Sequence, residues 1–230
     1  MSIIRSATLD IGGVIYSDDV FKRAIFSALK EMVESVDLDV FEDIYREHLQ
    51  SQSGSLRNKL AHRFLGGLEH RSRLLELTDH HWRFQKEDLY EDVLPFLELM
   101  RSREVRLGIV ANQPKTVIDS LQAHGLVSYF EFLGISTIVG LEKPDKKLYQ
   151  LAFKNLGAKT GEILHIGNRL DNDVKPAKTA GFLTAWVMRG ESKVNPSEDE
   201  KGQADIAILN LDELGTALLD EENGYKLGSR

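Results

Sequence analysis

The chain reads as an α/β protein, an open doubly wound parallel sheet with a small helical bundle inserted after its first strand. Three observations predict this. An apolar run, Ile3 to Asp10, ends in a carboxylate and breaks at once on Gly12 and Gly13. The stretch 17–89 then carries helical periodicity and no strand-like alternation. From Tyr90 onward, β-branched runs alternate with helix-length amphipathic segments, as βαβ units with parallel pairing require. The predicted division is a discontinuous Rossmann-like core, 1–16 with 90–230, and a helical cap, 17–89.

The elements follow in order. Ile3 to Asp10 is apolar enough for a strand buried on both faces. Val20-Phe21, Ala24-Ile25, Ala28-Leu29 and Met32-Val33 recur every four positions, the stripe of an amphipathic helix, with Asp18 or Asp19 as its cap. Val40-Phe41, Ile44-Tyr45 and His48-Leu49 repeat the pattern after Asp37 or Asp39. Leu56, Leu60, Phe64 and Leu65 follow Ser55 and stop at Gly66-Gly67, and a looser helical segment runs from about His70 to Gln85. The core then reads as a helix from Tyr90, a strand Val105 to Ala111, a helix from Pro114 to Gly125 and a strand Phe130 to Ser136. A helix Asp145 to Leu156, a strand Glu162 to Ile166, a helix Val174 to Ala180 and a strand Phe182 to Val187 come next. GESKVNPSEDEKGQ is a polar loop, followed by a strand Ala204 to Leu209 and a helix Leu211 to Leu219. The end, NGYKLGSR, is polar and left out of the fold.

Bulk properties narrow the function. A net charge of -7 disfavours nucleic-acid and anionic-membrane partners. The absence of cysteine excludes disulfides and thiolate metal sites. No apolar run reaches the length of a membrane span, and no basic segment precedes a long apolar run at the start. The expectation is a soluble cytoplasmic protein, a monomer or homodimer.

In open α/β sheets ligands bind beyond the C-terminal ends of the strands. The residues there are Asp10, Ala111-Asn112, the segment around Lys143, and Gly167-Asn168 with Asp171 and Asp173. Asp10, Asp171 and Asp173 are candidates for one hard divalent cation, which prefers oxygen ligands. Asp171 and Asp173 could equally cap the helix that follows, and the Lys143 ammonium could neutralise a phosphate or Asp10. His80-His81 point about 100° apart on a helix and do not converge on one ion. They, His48, His62 and His70 read as structural or solvent-facing. Arg57, Asn58, Lys59 and Arg63 lie in the cap, and periodicity alone leaves open which of them faces the site.

Taken together, DIGGVIY, LGIVANQ, EKPDKKLY and HIGNRLDNDVKPAKTAGF resemble, in order and spacing, the four motifs of the haloacid dehalogenase-like hydrolase superfamily. The resemblance spans nearly the whole chain, with the helical insert where such enzymes carry a cap. It implies that Asp10 is a nucleophile forming an aspartyl-phosphate, and that Lys143 stabilises nucleophile and phosphate. It also implies that Mg²⁺ is held by Asp10, the Gly12 carbonyl, and Asn168 or Asp173. Gly12, Gly13, Ala111, Asn112 and Arg169 are then the phosphate-binding set, Arg169 either touching phosphate or pairing with Asp171. The implied function is a Mg²⁺-dependent phosphatase of a small phosphorylated metabolite, its cap hinged near Tyr16–Asp18 and Glu87–Glu91.

Three positions depart from the family pattern. Gly12 stands where a second Asp serves as general acid and base, so turnover is expected to be slow or a stand-in such as Tyr16, Asp18 or Asp19 to act. Ala111 replaces Ser or Thr, with the Asn112 amide as substitute, and Asn168 replaces an Asp of the metal loop. These departures leave two other readings open: a weak or inactive relative that binds a ligand or partner, and a metal-independent 2-haloacid dehalogenase.

Overall fold

The computed structural model describes residues 4–219. The expected strand start at Ile3 and the NGYKLGSR end lie outside the described residues. Six strands form one sheet in the order β3-β2-β1-β4-β5-β6, with every neighbouring pair parallel. The strands are β1 (Ser6–Leu9), β2 (Arg106–Ala111), β3 (Phe130–Ile135), β4 (Ile163–Gly167), β5 (Leu183–Val187) and β6 (Ile206–Ile208). β1 and β4 are buried along their whole length, and the polar side chains they carry, Ser6, Thr8 and His165, are buried with them. The register pairs Leu9 with both Ile109 and Ile166, so β1 ends one residue short of β4 and two short of β2, and Asp10 follows at that step. The chain leaves β1 toward β2 on one side and reaches β4 on the other, which makes the C-terminal end of β1 the switch point.

Helices α1 (Asp19–Met32), α2 (Leu38–Ser51), α3 (Leu56–Phe64) and α4 (Arg71–His81) follow β1 directly. α1 packs along α4, and α3 touches both α2 and α4. Asp37 and Ser55 accept from Val40 N and Asn58 N, so two of the expected caps form. The two chain crossings between these helices and the sheet run side by side. Ser17 N donates to Asp88 O at 2.8 Å and Tyr90 N to Ile15 O at 3.1 Å. Tyr16 stacks on Phe84 with ring centroids 4.5 Å apart.

In the second half, α5 (Val93–Ser102), α6 (Val117–Ala123), α7 (Ser136–Val139), α8 (Lys146–Leu156), α9 (Lys175–Thr179), α10 (Glu198–Lys201) and α11 (Leu211–Leu219) connect the strands. The polar loop before β6 differs from expectation, because α10 forms inside it. Ser197 accepts from Glu200 N while the Glu200 carboxylate accepts from Ser197 N, a capping box legible as S-E-D-E. The helix expected from Val174 is preceded by a π-helical turn, Leu170–Val174, which lets five residues of the acidic loop curl back toward β4.

Candidate active site

Asp10, one residue past β1, is the centre of the site. Its Oδ1 lies 2.8 Å from Lys143 Nζ, and the same ammonium donates to Asp173 Oδ1 at 2.6 Å. All three side chains are at least seven-eighths buried, and Asp173 is completely so. Asp173 is held from every side. The Arg169 backbone N–H donates to its Oδ2 at 3.0 Å, and His165 Nε2 lies 3.3 Å from its Oδ1. Burial keeps His165 neutral, and its Nδ1 lies 2.9 Å from the hydroxyl of Thr8, its register partner on β1. This places His165, the first residue of the HIGNRLDND stretch and given no role from the sequence, among the groups that position the site.

One ammonium cannot serve two buried carboxylates equally. Burial opposes ionisation of Asp173, but the Lys143 ammonium and His165 hold its carboxyl well below the usual carboxylate range. Asp10 has less support. Burial pushes it up to about 6, with Lys143 pulling down and Asp173 pushing up. Asp10 is therefore ionised at neutral pH, yet more basic than an ordinary carboxylate. The Lys143 backbone is fixed by Asn112, whose Oδ1 accepts from Lys143 N at 2.7 Å and whose Nδ2 donates to Lys143 O at 2.9 Å. The Asn112 amide thus positions Lys143, and it lines the cavity with a second Nδ2 hydrogen beyond the one given to Lys143 O. Arg169 pairs in a bidentate manner with Asp171 at 3.0 and 2.9 Å and reaches Glu191 at 3.3 Å. It is an internal brace with its charge neutralised locally.

Of the two parts expected for Asp18, helix cap and stand-in for the carboxylate missing at position 12, the first is not taken. As a helix cap it makes no side-chain hydrogen bond; instead its carboxylate turns into the site. Oδ2 accepts from Asn168 Nδ2 and from Glu191 N, both at 2.7 Å. Oδ1 faces Gly12, where a Cβ would lie 2.3 Å from it. A Cβ on Gly190 would meet Asp18 Oδ2 at 2.3 Å, and one on Gly13 would meet Asn168 Nδ2 at 1.9 Å. The carboxylate thus occupies the volume that a side chain at position 12 would fill, and bare glycines make its seat. Burial and the neighbouring Glu191 carboxylate push Asp18 well above the usual carboxylate range. The other two stand-ins are excluded by position. Tyr16 is buried with its hydroxyl 2.7 Å from His124 Nδ1, and Asp19 is exposed in the first turn of α1.

These groups line a cavity of about 260 Å³ that opens between the strand tips and α1–α4. Asp10, Gly12, Asp18, Lys143 and Asn168 form its sheet side, and Phe21, His48, Arg57, Arg71 and Trp82 line it from the helices. Of the two readings of His48, structural or solvent-facing, the buried side chain takes the first, its Nε2 lying 2.7 Å from Arg169 NH1. Gln113, the last residue of LGIVANQ and given no role from the sequence, also lines the cavity with a buried and unpartnered Oε1. Ala111 is fully buried in β2, and Gly13 turns with φ of 67°. His62, His70 and His80 are not among the cavity-lining residues, whereas Arg57 is and Lys59 and Arg63 are not.

Among the described residues, no three His, Asp or Glu side chains converge as a ready-made metal cage. The oxygens of Asp10, the Gly12 carbonyl and the Asn168 amide suit in kind an ion such as Mg²⁺, which takes few protein ligands and keeps water. Asp173 stands behind Lys143, with both carboxylate oxygens engaged.

The fold and this strand-tip arrangement define a class of hydrolase. The model of the haloacid dehalogenase-like hydrolase family matches residues 4–181, and the chain belongs to that family. Glyceraldehyde 3-phosphate phosphatase of Methanopyrus kandleri is 27% identical over 210 residues, 86% of this chain and 90% of the relative. Phosphoserine phosphatase of Thermus thermophilus is 30% identical over 173 residues, 73% and 67% of the two chains. Within the family the chain is a phosphatase-like member, and an enzyme. By structure, a HAD phosphatase of Thermococcus onnurineus superimposes with a TM-score of 0.64 at 24% identity, covering 95% of this chain and 99% of its own. A 2-haloacid dehalogenase of Pseudomonas syringae gives 0.59 at 18%, covering 94% and 98%, so the fold alone serves both chemistries. Among the described residues no helix is long and apolar enough to cross a membrane.

Proposed function

We propose that the protein is a phosphomonoester hydrolase of small phosphorylated metabolites that works through an aspartyl-phosphate on Asp10. The observation that carries this is the buried chain Asp10–Lys143–Asp173 at the floor of the cavity. It keeps a carboxylate nucleophile oriented, charged at neutral pH and beside an ammonium that meets phosphoryl oxygens. The phosphatase names of the sequence relatives support the reaction type. The cavity volume of about 260 Å³ supports a substrate of a few carbons.

Asp10 attacks phosphorus as the ester bond to the leaving oxygen breaks, and Lys143 balances the charge on the equatorial oxygens. Asp18 supplies the carboxyl that position 12 lacks. Its oxygen beside Gly12 gives a proton to the leaving oxygen, then takes one from the water that attacks the aspartyl-phosphate. Inorganic phosphate departs and Asp10 is regenerated. Mg²⁺ held by Asp10, the Gly12 carbonyl and Asn168 would add positive charge beside the phosphoryl group. The test is phosphate release from a panel of phosphorylated metabolites in Mg²⁺ buffer, with Asp10→Asn as the blank. Turnover that persists in Asp10→Asn refutes the nucleophile, and a flat trace for the wild type favours a ligand-binding role.

A further inference from the structure

The cations on the sheet side of the cavity are already committed, Lys143 to Asp10 and Asp173, Arg169 to Asp171 and Glu191. The helix side is different. Arg57, in the first turn of α3, lines the same cavity, and its Nε is buried without any hydrogen-bond partner. Its nearest carboxylate, Asp79, is 3.9 Å away, at the edge of an ion pair. Its guanidinium lies over two aromatic faces, 5.1 Å from the Phe21 ring centre and 5.9 Å from that of Trp82, and both rings also line the cavity. Stacking of this kind holds the planar fork in one orientation while leaving the Nε–H unspent. Arg71 stands nearby on the cavity wall, with Nε donating to Asn58 Oδ1 at 2.7 Å.

The Arg57 side chain is largely but not fully buried, and a buried Nε–H left unmet is costly unless a ligand meets it. We infer that Arg57 is the binding site for a second anionic group on the substrate, so that the enzyme acts on short phosphoesters carrying a carboxylate or further phosphate at the end remote from the reacting phosphorus. This rests on the proposed phosphatase reading and names its substrate class. The small volume limits the spacer to a few atoms, and Arg57 meets the far anion edge-on in the bidentate geometry that a Lys ammonium does not offer.

The test uses a pair of ligands that differ mainly at one end, 3-phosphoglycerate and glycerol 3-phosphate, with p-nitrophenyl phosphate as a substrate that lacks the second anion. In Mg²⁺ buffer, kcat/KM is expected to favour 3-phosphoglycerate by about tenfold to a hundredfold, the worth of hydrogen bonds to a charged group. Arg57→Ala is expected to remove that preference, chiefly through KM, and leave p-nitrophenyl phosphate turnover within about threefold of wild type. Arg57→Lys, which keeps charge without the fork, is expected to recover only part of the preference. Calorimetric binding of both ligands to Asp10→Asn measures the same ratio without turnover. A wild type that cleaves none of the three would refute the phosphatase reading, while the binding ratio would still decide the subsite. Equal binding of the two ligands, a preference that survives Arg57→Ala, or an equal loss on all three substrates would overturn the inference.

Discussion

Replacing Asp18 by Asn isolates what its carboxyl does. The amide is isosteric, and its oxygen can still accept from Asn168 Nδ2 and Glu191 N, the two donors at 2.7 Å that define the seat. The loss is confined to the oxygen facing Gly12. General acid–base help is worth roughly a hundredfold to ten-thousandfold, which is about 3 to 5 kcal/mol of barrier. Asp18→Asn is therefore expected to lower kcat for an alkyl phosphate such as glycerol 3-phosphate by at least about a hundredfold. The fall should be smaller for p-nitrophenyl phosphate, whose leaving oxygen needs no proton. The reciprocal change is equally informative. Gly12→Asp alone forces a Cβ to 2.3 Å from Asp18 Oδ1, so it should impair folding or activity. Joined to Asp18→Gly, it should restore activity by at least about tenfold over Asp18→Gly alone, because the volume is then free. Steady-state phosphate release measures all four variants, with circular dichroism as the check on folding. An Asp18→Asn variant within about threefold of wild type on the alkyl substrate would refute the assignment.

Asn168→Asp should fail to tighten Mg²⁺ binding, because it sets a second carboxylate against Asp18 Oδ2 at the present 2.7 Å; calorimetry should show a gain only when Asp18→Asn is added. Asp10→Asn should abolish turnover and raise the melting temperature of the metal-free protein at pH 8. The Asp10 carboxyl is raised by burial to about 6 when folded, against 3.8 as its ordinary value. Its protonation thus favours the fold fully below 3.8, and that stability is lost as pH rises through 6, so the gap between variant and wild type should close near pH 4 in thermal scans. Lys143→Ala leaves Asp10 and Asp173 buried without their shared cation and should cost about 3 to 5 kcal/mol in urea unfolding, apart from any effect on rate.

Much of the fold was legible because it rests on local periodicity. Paired apolar positions at four-residue spacing mark α1 and α2, and runs rich in apolar and β-branched residues mark β1, β2 and β4, with Ser6, Thr8 and His165 as buried polar members. Short elements were lost where the local signal was weak or brief. α10 rests on a four-residue capping box, and the π turn at Leu170–Val174 depends on Asp173 reaching back to Lys143 and the Arg169 N–H.

The sequence by itself determined the strand-tip residues from which the site is drawn: Asp10, Lys143, Asn168 and Asp173 lie at loop positions whose spacing follows from the alternation of strands and helices. It could not assign their partners, because those contacts join residues far apart in the chain. Asp18 reads equally as a helix cap or as a stand-in carboxylate until Asn168 and Glu191, more than a hundred positions away, supply its donors. Asn112 shows in the chain no sign that its amide brackets the Lys143 backbone, thirty-one positions away. Gly12, in the chain alone, is a missing carboxylate. Only the tertiary structure shows that its bare Cα makes room for another one, since that depends on close packing between segments whose separation along the chain says nothing about their distance in space.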